Sequence, residues 1–271
     1  MPTSRATLPL LNQKLPLKSR LHLAVSHALE SLRLQPTVWS VGNAFKIHEF
    51  KQIVEPSGLS ATHTALDLGC GTGLQTVLLA RRCARVIGID VFVEAIQVAK
   101  ERASRCGVAD RIDFRASPIE KAQLKADSID RVYSFCVLEH IANLDVVLAE
   151  LYRIMKPGAE MHITVDSLAN VRDQKLVDKH RKDHFVVEYF TPASLTKRLE
   201  KSGFELFDIH PLFTSEFARK AFEDRIINGG HLSLINKLRL YRELRLENAK
   251  DAKEGIMVLA RARKPIAAKG R

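Results

Sequence analysis

Leu66-Asp67-Leu68-Gly69-Cys70-Gly71-Thr72-Gly73 places three glycines at alternate positions, after the apolar run Thr64-Ala65-Leu66 and before Leu74-Gln75-Thr76-Val77-Leu78-Leu79-Ala80. The first segment reads as a buried strand and the last as an amphipathic helix. Glycines strip the intervening loop of side chains, so a ligand can touch backbone, and N–H groups at the helix start are available to a negatively charged group. A second strand, Arg85-Val86-Ile87-Gly88-Ile89-Asp90, ends in a carboxylate seventeen residues past Gly73. Asp90 can there accept hydrogen bonds from two adjacent ribose hydroxyls. Together the two segments predict a site for a nucleotide-containing ligand.

Outward from this pair, strand and helix patterns alternate. Strands are predicted at 64–68, 85–90, 111–116, 130–136 and 159–165, and helices at 74–83, 92–106, 119–124 and 143–155. Such alternation means an α/β protein with a parallel sheet covered on both faces. Right-handed crossovers bring the loops after successive strands to one edge, so 69–73, Asp90, Ser117 and 136–140 are expected to share a crevice. Lys156-Pro157-Gly158-Ala159 reads as a turn before the fifth strand, with Gly158 at positive φ.

The glycine spacing and the preceding Asp67 differ from the dinucleotide fingerprint, Gly-x-Gly-x-x-Gly. They resemble motif I of the class I S-adenosylmethionine-dependent methyltransferases (UbiE/UbiG-like, type 11 domain), and Gly88-Ile89-Asp90 resembles the second motif. The likeness continues in fixed order through Phe114-Arg115-Ala116-Ser117-Pro118-Ile119-Glu120, Ser128-Ile129-Asp130-Arg131-Val132-Tyr133-Ser134, Val137-Leu138-Glu139-His140-Ile141 and Leu151-Tyr152-Arg153-Ile154-Met155-Lys156-Pro157-Gly158-Ala159. It covers about 59–167 and thins out around 190–204. It implies a Rossmann-like, doubly wound, mostly parallel seven-stranded sheet with helices on both faces. It also implies S-adenosyl-L-methionine as cofactor and a transferase activity.

Carried over residue by residue, the resemblance assigns Asp67, Gly69, Cys70, Gly71 and Gly73 to the cofactor's amino acid and sugar, with Asp67 near its ammonium. Asp90 takes the ribose hydroxyls, Val91 the adenine face, and Ser117, Ile119 and Cys136 complete the cofactor edge. One loop departs from the pattern: where many relatives carry an Asp that accepts from the adenine amino group, this chain has Pro118, leaving the Ser117 hydroxyl or the Ile119 backbone to read that edge.

Methyl transfer to a hydroxyl needs alignment and removal of a proton. His140, after the fourth strand, is the first candidate base, with an ordinary pKa near about 6.5; His184 is the second. The bland alternatives are a loop-shaping role for Glu139-His140 and a solvated His184. Cys136 reads as the apolar end of a strand rather than a nucleophile, since no Pro-Cys pair occurs in its loop. The four cysteines show no CxxC or metal-ligand spacing, so free thiols and no metal are expected.

With 46% hydrophobic and 27% charged residues among 271, the chain reads as an ordinary globular protein, expected in the cytoplasm and at most peripheral to a membrane. Its net charge of +11 is concentrated at the ends, with five Lys or Arg against one Glu in 1–35 and five against none in 256–271. Helices are predicted at 21–34 and 42–54, with Trp39 as a packing anchor between them, and a helical insertion separates the last two strands. The expected organisation is an N-terminal helical extension or lid (1–58), the methyltransferase domain (59–213 and 255–264), the insertion (214–254) and a basic tail (265–271). The insertion reads as a helical pair packed on its own domain, a homodimer contact or lid, or an interfacial helix. The leading function is methylation, at oxygen, of a small-molecule, lipid-linked or sugar acceptor. The alternatives are an RNA or protein methyltransferase whose basic ends hold an anionic polymer, and a non-catalytic cofactor-binding or assembly protein. An anionic substrate or membrane surface suits the charge, whereas nucleic acid is not expected.

Overall fold

A computed structural model describes residues 44–227, 229, 234–247 and 252–266. The helix expected at 21–34, Trp39 and most of the basic tail lie outside these residues.

The apolar runs form one seven-stranded sheet. Strands β1 (Thr64–Leu68), β2 (Arg85–Asp90), β3 (Ile112–Ala116), β4 (Ile129–Phe135) and β5 (Met155–Asp166) are parallel where they pair. β7 (Met257–Arg263) runs antiparallel between β5 and β6 (Glu205–Leu212). The order β3-β2-β1-β4-β5-β7-β6 reverses between β1 and β4, which opens a crevice at the carboxyl ends of those two strands.

Alternate residues of each strand enter opposite cores. Ala65, Val86 and Tyr133 join α1 (Ala44–Val54), α2 (Leu74–Ala80), α7 (Glu216–Phe222) and α8 (Leu234–Leu246). Leu66, Leu68, Ile87, Ile89 and Val132 join α4 (Leu144–Ile154) and α6 (Pro192–Lys201). Each fully buried leucine such as Leu148 or Leu151 contributes about 1.5–3 kcal/mol to this packing. α3 (Val93–Arg105) covers the β2 and β3 edge through Ala95, Ile96, Ala99 and Ala103.

Helix ends follow local chemistry. α1 stops where Pro56 and Gly58, at φ +61°, take over, and the Thr191 side chain accepts from Ser194 N (3.1 Å) to open α6 with Pro192 in its first turn. Two expectations need correction, and one helix was not predicted. The segment 119–124 makes only the single turn Ile119–Lys121. The turn expected at 156–159 is a bulge inside β5: against β4 the register jumps from Ile129–Met155 to Arg131–Glu160, while within the bulge Gly158 N donates to Lys264 O (2.8 Å) and Ala159 O accepts from Lys264 N (3.0 Å). Gly158 does have positive φ, +80°. The polar stretch 166–189 contains a helix, α5 (Gln174–His184), capped by the Asp173 carboxylate on Lys175 N (2.9 Å) and ended by Phe185 at φ +56°.

Where described, the insertion packs on its own domain. Leu240 and Leu244 of α8 are buried in the core shared with α1, and Lys51 Nζ donates to Tyr241 Oη (3.0 Å). The Glu247 carboxylate accepts from Phe213 N (3.2 Å) and Ser215 N (2.8 Å), tying the end of α8 to the start of α7. Among the described residues no helix is long and apolar enough to cross a membrane.

Candidate functional site

The glycine loop is fastened from below and left bare above. Gly69 N and Cys70 N donate to Ile89 O (2.8 and 3.0 Å), and Gly71 N donates to Asp90 Oδ2 (2.8 Å). The Arg102 guanidinium donates to Thr72 O from α3. At Gly69, φ is +71° and an added Cβ would lie 2.3 Å from Val137 Cγ2, so only glycine lets the loop pass the end of β4. Asp90 Oδ1 accepts from Phe92 N (3.0 Å), which aims the carboxylate across the crevice with lone pairs to spare. Asp67 lies beneath the loop, 1% exposed, and its Oδ2 accepts from Thr76 Oγ1 (2.6 Å). Burial pushes its pKa up to about 7, against the Thr76 bond and with help from the Asp90 charge.

Two cavities meet at Gly69. The larger, about 750 Å³, is lined by Gly69, Asp90, Val91, Ser117, Ile119 and Cys136 together with His140 and His184. The smaller, about 230 Å³, lies over the loop and is lined by Lys46, Gly69, Cys70, Gly71, Thr72, Leu74 and Gln75. Of the residues expected at the cofactor, Asp67 and Gly73 line neither cavity. Gly73, at φ +76°, precedes α2, and a Cβ there would come within 2.9 Å of Ala99 Cβ, so it lets the start of α2 pack closely on α3. The Ser117 hydroxyl is spent on Pro118 O (2.8 Å), and Glu120 lines the same cavity as an acid the sequence reading passed over.

The far end of the larger cavity is built from side chains. His140 stands in the turn Leu138–His140, its Nδ1 3.5 Å from Phe185 O and its Nε2 3.9 Å from Glu139 Oε1. Burial lowers its pKa against the Phe185 hydrogen bond, and burial likewise lowers that of His184. Both imidazoles are therefore neutral near pH 7. His180, one turn before His184 on α5, stacks on it at 4.4 Å between ring centroids. It meets Tyr189 Oη through Nδ1 (2.9 Å) and stands 3.7 Å from Asp166. Burial brings His180 down to about 4.

Behind the histidines lies a buried polar group that no sequence motif announced. Glu139 and Asp166 are both pushed up by burial; the Asp166 charge adds to the rise at Glu139, and Glu49 adds to that at Asp166 while Lys46 opposes it. Cys136, at φ +55°, approaches Glu49 Oε1 with its Sγ (3.3 Å); burial raises its thiol well above the usual range, so it is a hydrogen-bond donor and not a nucleophile. Cys136, Glu139 and Asp166 bring three potential metal-ligating atoms within 4.8 Å of one another. The sequence spacing that led to the no-metal expectation did not show this grouping. Its charge is met from within the chain: Lys46 Nζ lies 2.8 Å from Glu49 Oε2, beside the same cluster. An i, i+4 pair such as His180 and His184 would have been a usable signal had the helix itself been predicted.

A family model described as a methyltransferase domain matches residues 66–163. The chain is 28% identical over 177 residues to "Methyltransferase GfsG" of Streptomyces halstedii, covering 59% of each protein. It is 33% identical over 129 residues to a "Ubiquinone biosynthesis O-methyltransferase" of Hahella chejuensis, covering 45% of this chain and 53% of that one. The chain thus spans little more than half the length of these curated relatives. Among solved structures it is similar to a geranyl diphosphate C-methyltransferase of Streptomyces coelicolor, with TM-score 0.62 and 14% identity, covering 81% and 79% of the two chains. The [4+2]-cyclase SpnF follows at TM-score 0.61 and 18% identity, covering 80% and 81%. At such identities the structural likeness establishes the fold alone, and the two proteins differ in reaction, one a C-methyltransferase and the other a cyclase. Glycine cradle, carboxylate at the end of β2, strand order and family match agree: residues 66–163 are similar to a methyltransferase domain, carried on a Rossmann-like methyltransferase fold.

Proposed function

We propose that the protein methylates, at oxygen, a small-molecule acceptor with an apolar portion, a lipid-linked or sugar-bearing molecule included. The observation that carries this reading is one cavity with two unlike ends: backbone and a carboxylate at 69–90, and neutral imidazoles at His140 and His184. The residues fit the cofactor. Gly69 leaves the space a side chain would fill, Asp90 offers an aimed carboxylate for ribose hydroxyls, and Val91 and Ile119 give apolar walls for adenine. S-adenosylmethionine, when bound, supplies an electrophilic methyl group carried on a sulfonium.

The chain's own task is to align the acceptor and take its proton. His140 is the candidate base: it lines the cavity and is neutral near pH 7. His184, in the same lining, is the second candidate. The cavity mouth carries the exposed apolar side chains Val91, Phe92, Val146 and Phe185, which suits an acceptor with an apolar portion better than a polyanion.

A screen of metabolite and lipid extracts with isotope-labelled S-adenosylmethionine, read by mass spectrometry, identifies the acceptor. With that acceptor, His140→Ala is expected to lower kcat by about 10²–10⁴-fold while leaving S-adenosylhomocysteine affinity intact. Unchanged turnover removes His140 as the base. Failure of the wild-type protein to bind S-adenosylhomocysteine in a calorimeter removes the cofactor reading itself.

A further inference from the structure

We propose that the outward face of α8 docks on an anionic lipid bilayer, with Ile235, Leu238 and Leu246 entering the boundary of headgroups and acyl chains and Arg242 and Arg245 meeting the phosphates. Two groups stand out among the large apolar side chains that the fold leaves in water. Val91, Phe92, Val146 and Phe185 line the large cavity and belong to the site described above. Ile235, Leu238 and Leu246 are 77%, 65% and 70% exposed, stand on one helix and line neither cavity. The buried Leu240 and Leu244 fix which side of α8 faces the core. At about 100° per residue, the three exposed side chains fall within about 80° on the opposite side. Arg242 falls in the middle of that arc, with Arg245 and Arg239 at its edges; Glu243, the one acid of the helix, falls outside it.

The charges on this face are unlike those on the rest of the surface. Elsewhere Arg153 pairs with Glu150 (2.7 Å), Arg198 with Asp145 (2.8 Å), Arg263 with Glu205 (2.8 Å) and, on the neighbouring α7, Lys220 with Glu216 (2.7 Å). Among the described residues no carboxylate pairs with Lys237, Arg239, Arg242 or Arg245. Arg239 lies over the Phe217 ring (4.3 Å), and Glu247, the acid just past the helix end, is spent on Phe213 N and Ser215 N. The face is preformed: Leu240, Leu244 and the hydrogen bond from Lys51 to Tyr241 fasten α8 to α1. Residues 235–239 are all exposed, so the start of α8 projects from the domain and a flat surface can reach it. A second copy pairing this face with itself would set arginines against arginines. A polyanion such as RNA would meet the arginines and leave three aliphatic side chains unpartnered. An anionic bilayer satisfies both, since arginine stems lie along apolar surface while their guanidinium groups stay at the phosphates.

Co-sedimentation of the full chain with vesicles tests the assignment. Binding is expected to phosphatidylcholine vesicles that contain phosphatidylglycerol, weakening as salt is added, with little binding to pure phosphatidylcholine. Arg242→Gln and Arg245→Gln should each lower partitioning about fivefold, the effect of one basic residue near an anionic surface. Leu238→Ser should lower it about tenfold, for the loss of one aliphatic side chain from the apolar boundary. All three side chains are exposed, so melting temperatures should hold. Leu238→Trp combined with Trp39→Phe puts the chain's one indole on α8; its emission should shift to the blue on anionic vesicles and be quenched by brominated acyl chains. No preference for anionic vesicles, binding that these variants leave unchanged, or an indole that stays in water while the chain sediments overturns the proposal. So does self-association that Leu238→Ser abolishes in a chain that ignores vesicles, which assigns the face to a second copy. The assay needs neither cofactor nor acceptor, so its failure leaves the reading of the crevice to its own calorimetry.

Discussion

The two ends of the large cavity are made of different material. At 69–90 the surface is backbone at the left-handed Gly69 and one carboxylate steered by main-chain N–H groups. At the other end it is side chains, His140 from a single turn after β4 and His184 from α5, leaning on the Phe185 carbonyl and on each other's neighbours. A site built from backbone tolerates only one residue type at its tightest points. A site built from side chains can be rebuilt by changing a few residues on separate elements. The first end therefore suits a ligand common to a family, and the second a ligand particular to one member.

The comparison breaks most sharply at Gly69. Gly69→Ala puts a Cβ 2.3 Å from Val137 Cγ2 at φ +71°, which combines overpacking with a left-handed residue and costs about 4 kcal/mol. Calorimetry with S-adenosylhomocysteine should show binding lost or reduced more than a hundredfold, beside a lowered melting temperature. Near-normal affinity would mean that the loop is not the close-contact surface described above. The next effect belongs to the scaffold. Leu240→Ala in α8 removes a buried side chain and costs about 3 kcal/mol of stability by denaturant unfolding. S-adenosylhomocysteine affinity should stay within about twofold, since additivity holds for independent sites; a larger loss would show the insertion reaching into the cofactor end.

Legibility followed the same division. The strand, glycine loop and helix at 64–80 and the strand ending at Asp90 could be read because apolar runs and glycines are local signals. α5 could not, because only His180 of its eleven residues is buried and no apolar stripe of helical period exists to detect. The helix is held instead by a cap, a left-handed exit and contacts made by residues far away in sequence. Lys46 and Glu49 sit in a helix that was expected, yet i, i+3 charges read as an ordinary surface pair. Nothing in their spacing says that Glu49 is fully buried against Thr164 and Cys136. Asp67 has a surrounding that the motif did not show: the fold puts it under the loop with Thr76.

Asp90→Ala is the third test and isolates the one side chain on which the backbone end depends. The carboxylate holds Gly71 N and Phe92 N and is the expected partner of the ribose, so its loss should cost about 2 kcal/mol, about 30-fold in S-adenosylhomocysteine affinity. Adenine-only ligands should lose less. The histidine end is tested by pH. Burial lowers the pKa of both His140 and His184, so the neutral, proton-accepting form persists to lower pH than for a free imidazole. kcat/KM for the acceptor is expected to be flat between pH 7 and 8 and to fall, by about tenfold per unit, only below about 6.5. A rate still climbing above pH 7 would exclude either imidazole as the base.

The smallest effect is the most discriminating, because it separates two meanings of a glycine loop. Gly71, at φ +50°, has nothing within 4 Å of the position of an added Cβ, in contrast to Gly69 two residues earlier. Gly71→Ala therefore carries only the left-handed penalty, about 1 kcal/mol, and the protein should fold with a slightly lowered melting temperature. Its methyl group would stand in the small cavity lined by Lys46, where the ligand's amino acid end is expected. If the loop is a contact surface, affinity for S-adenosylhomocysteine falls by less than for Asp90→Ala, while the decarboxylated analogue is affected in the same direction but less. If the glycine serves the turn alone, affinity is unchanged and stability carries the whole effect, which would move the ligand's amino acid end away from Gly71 and towards the Gly69 junction.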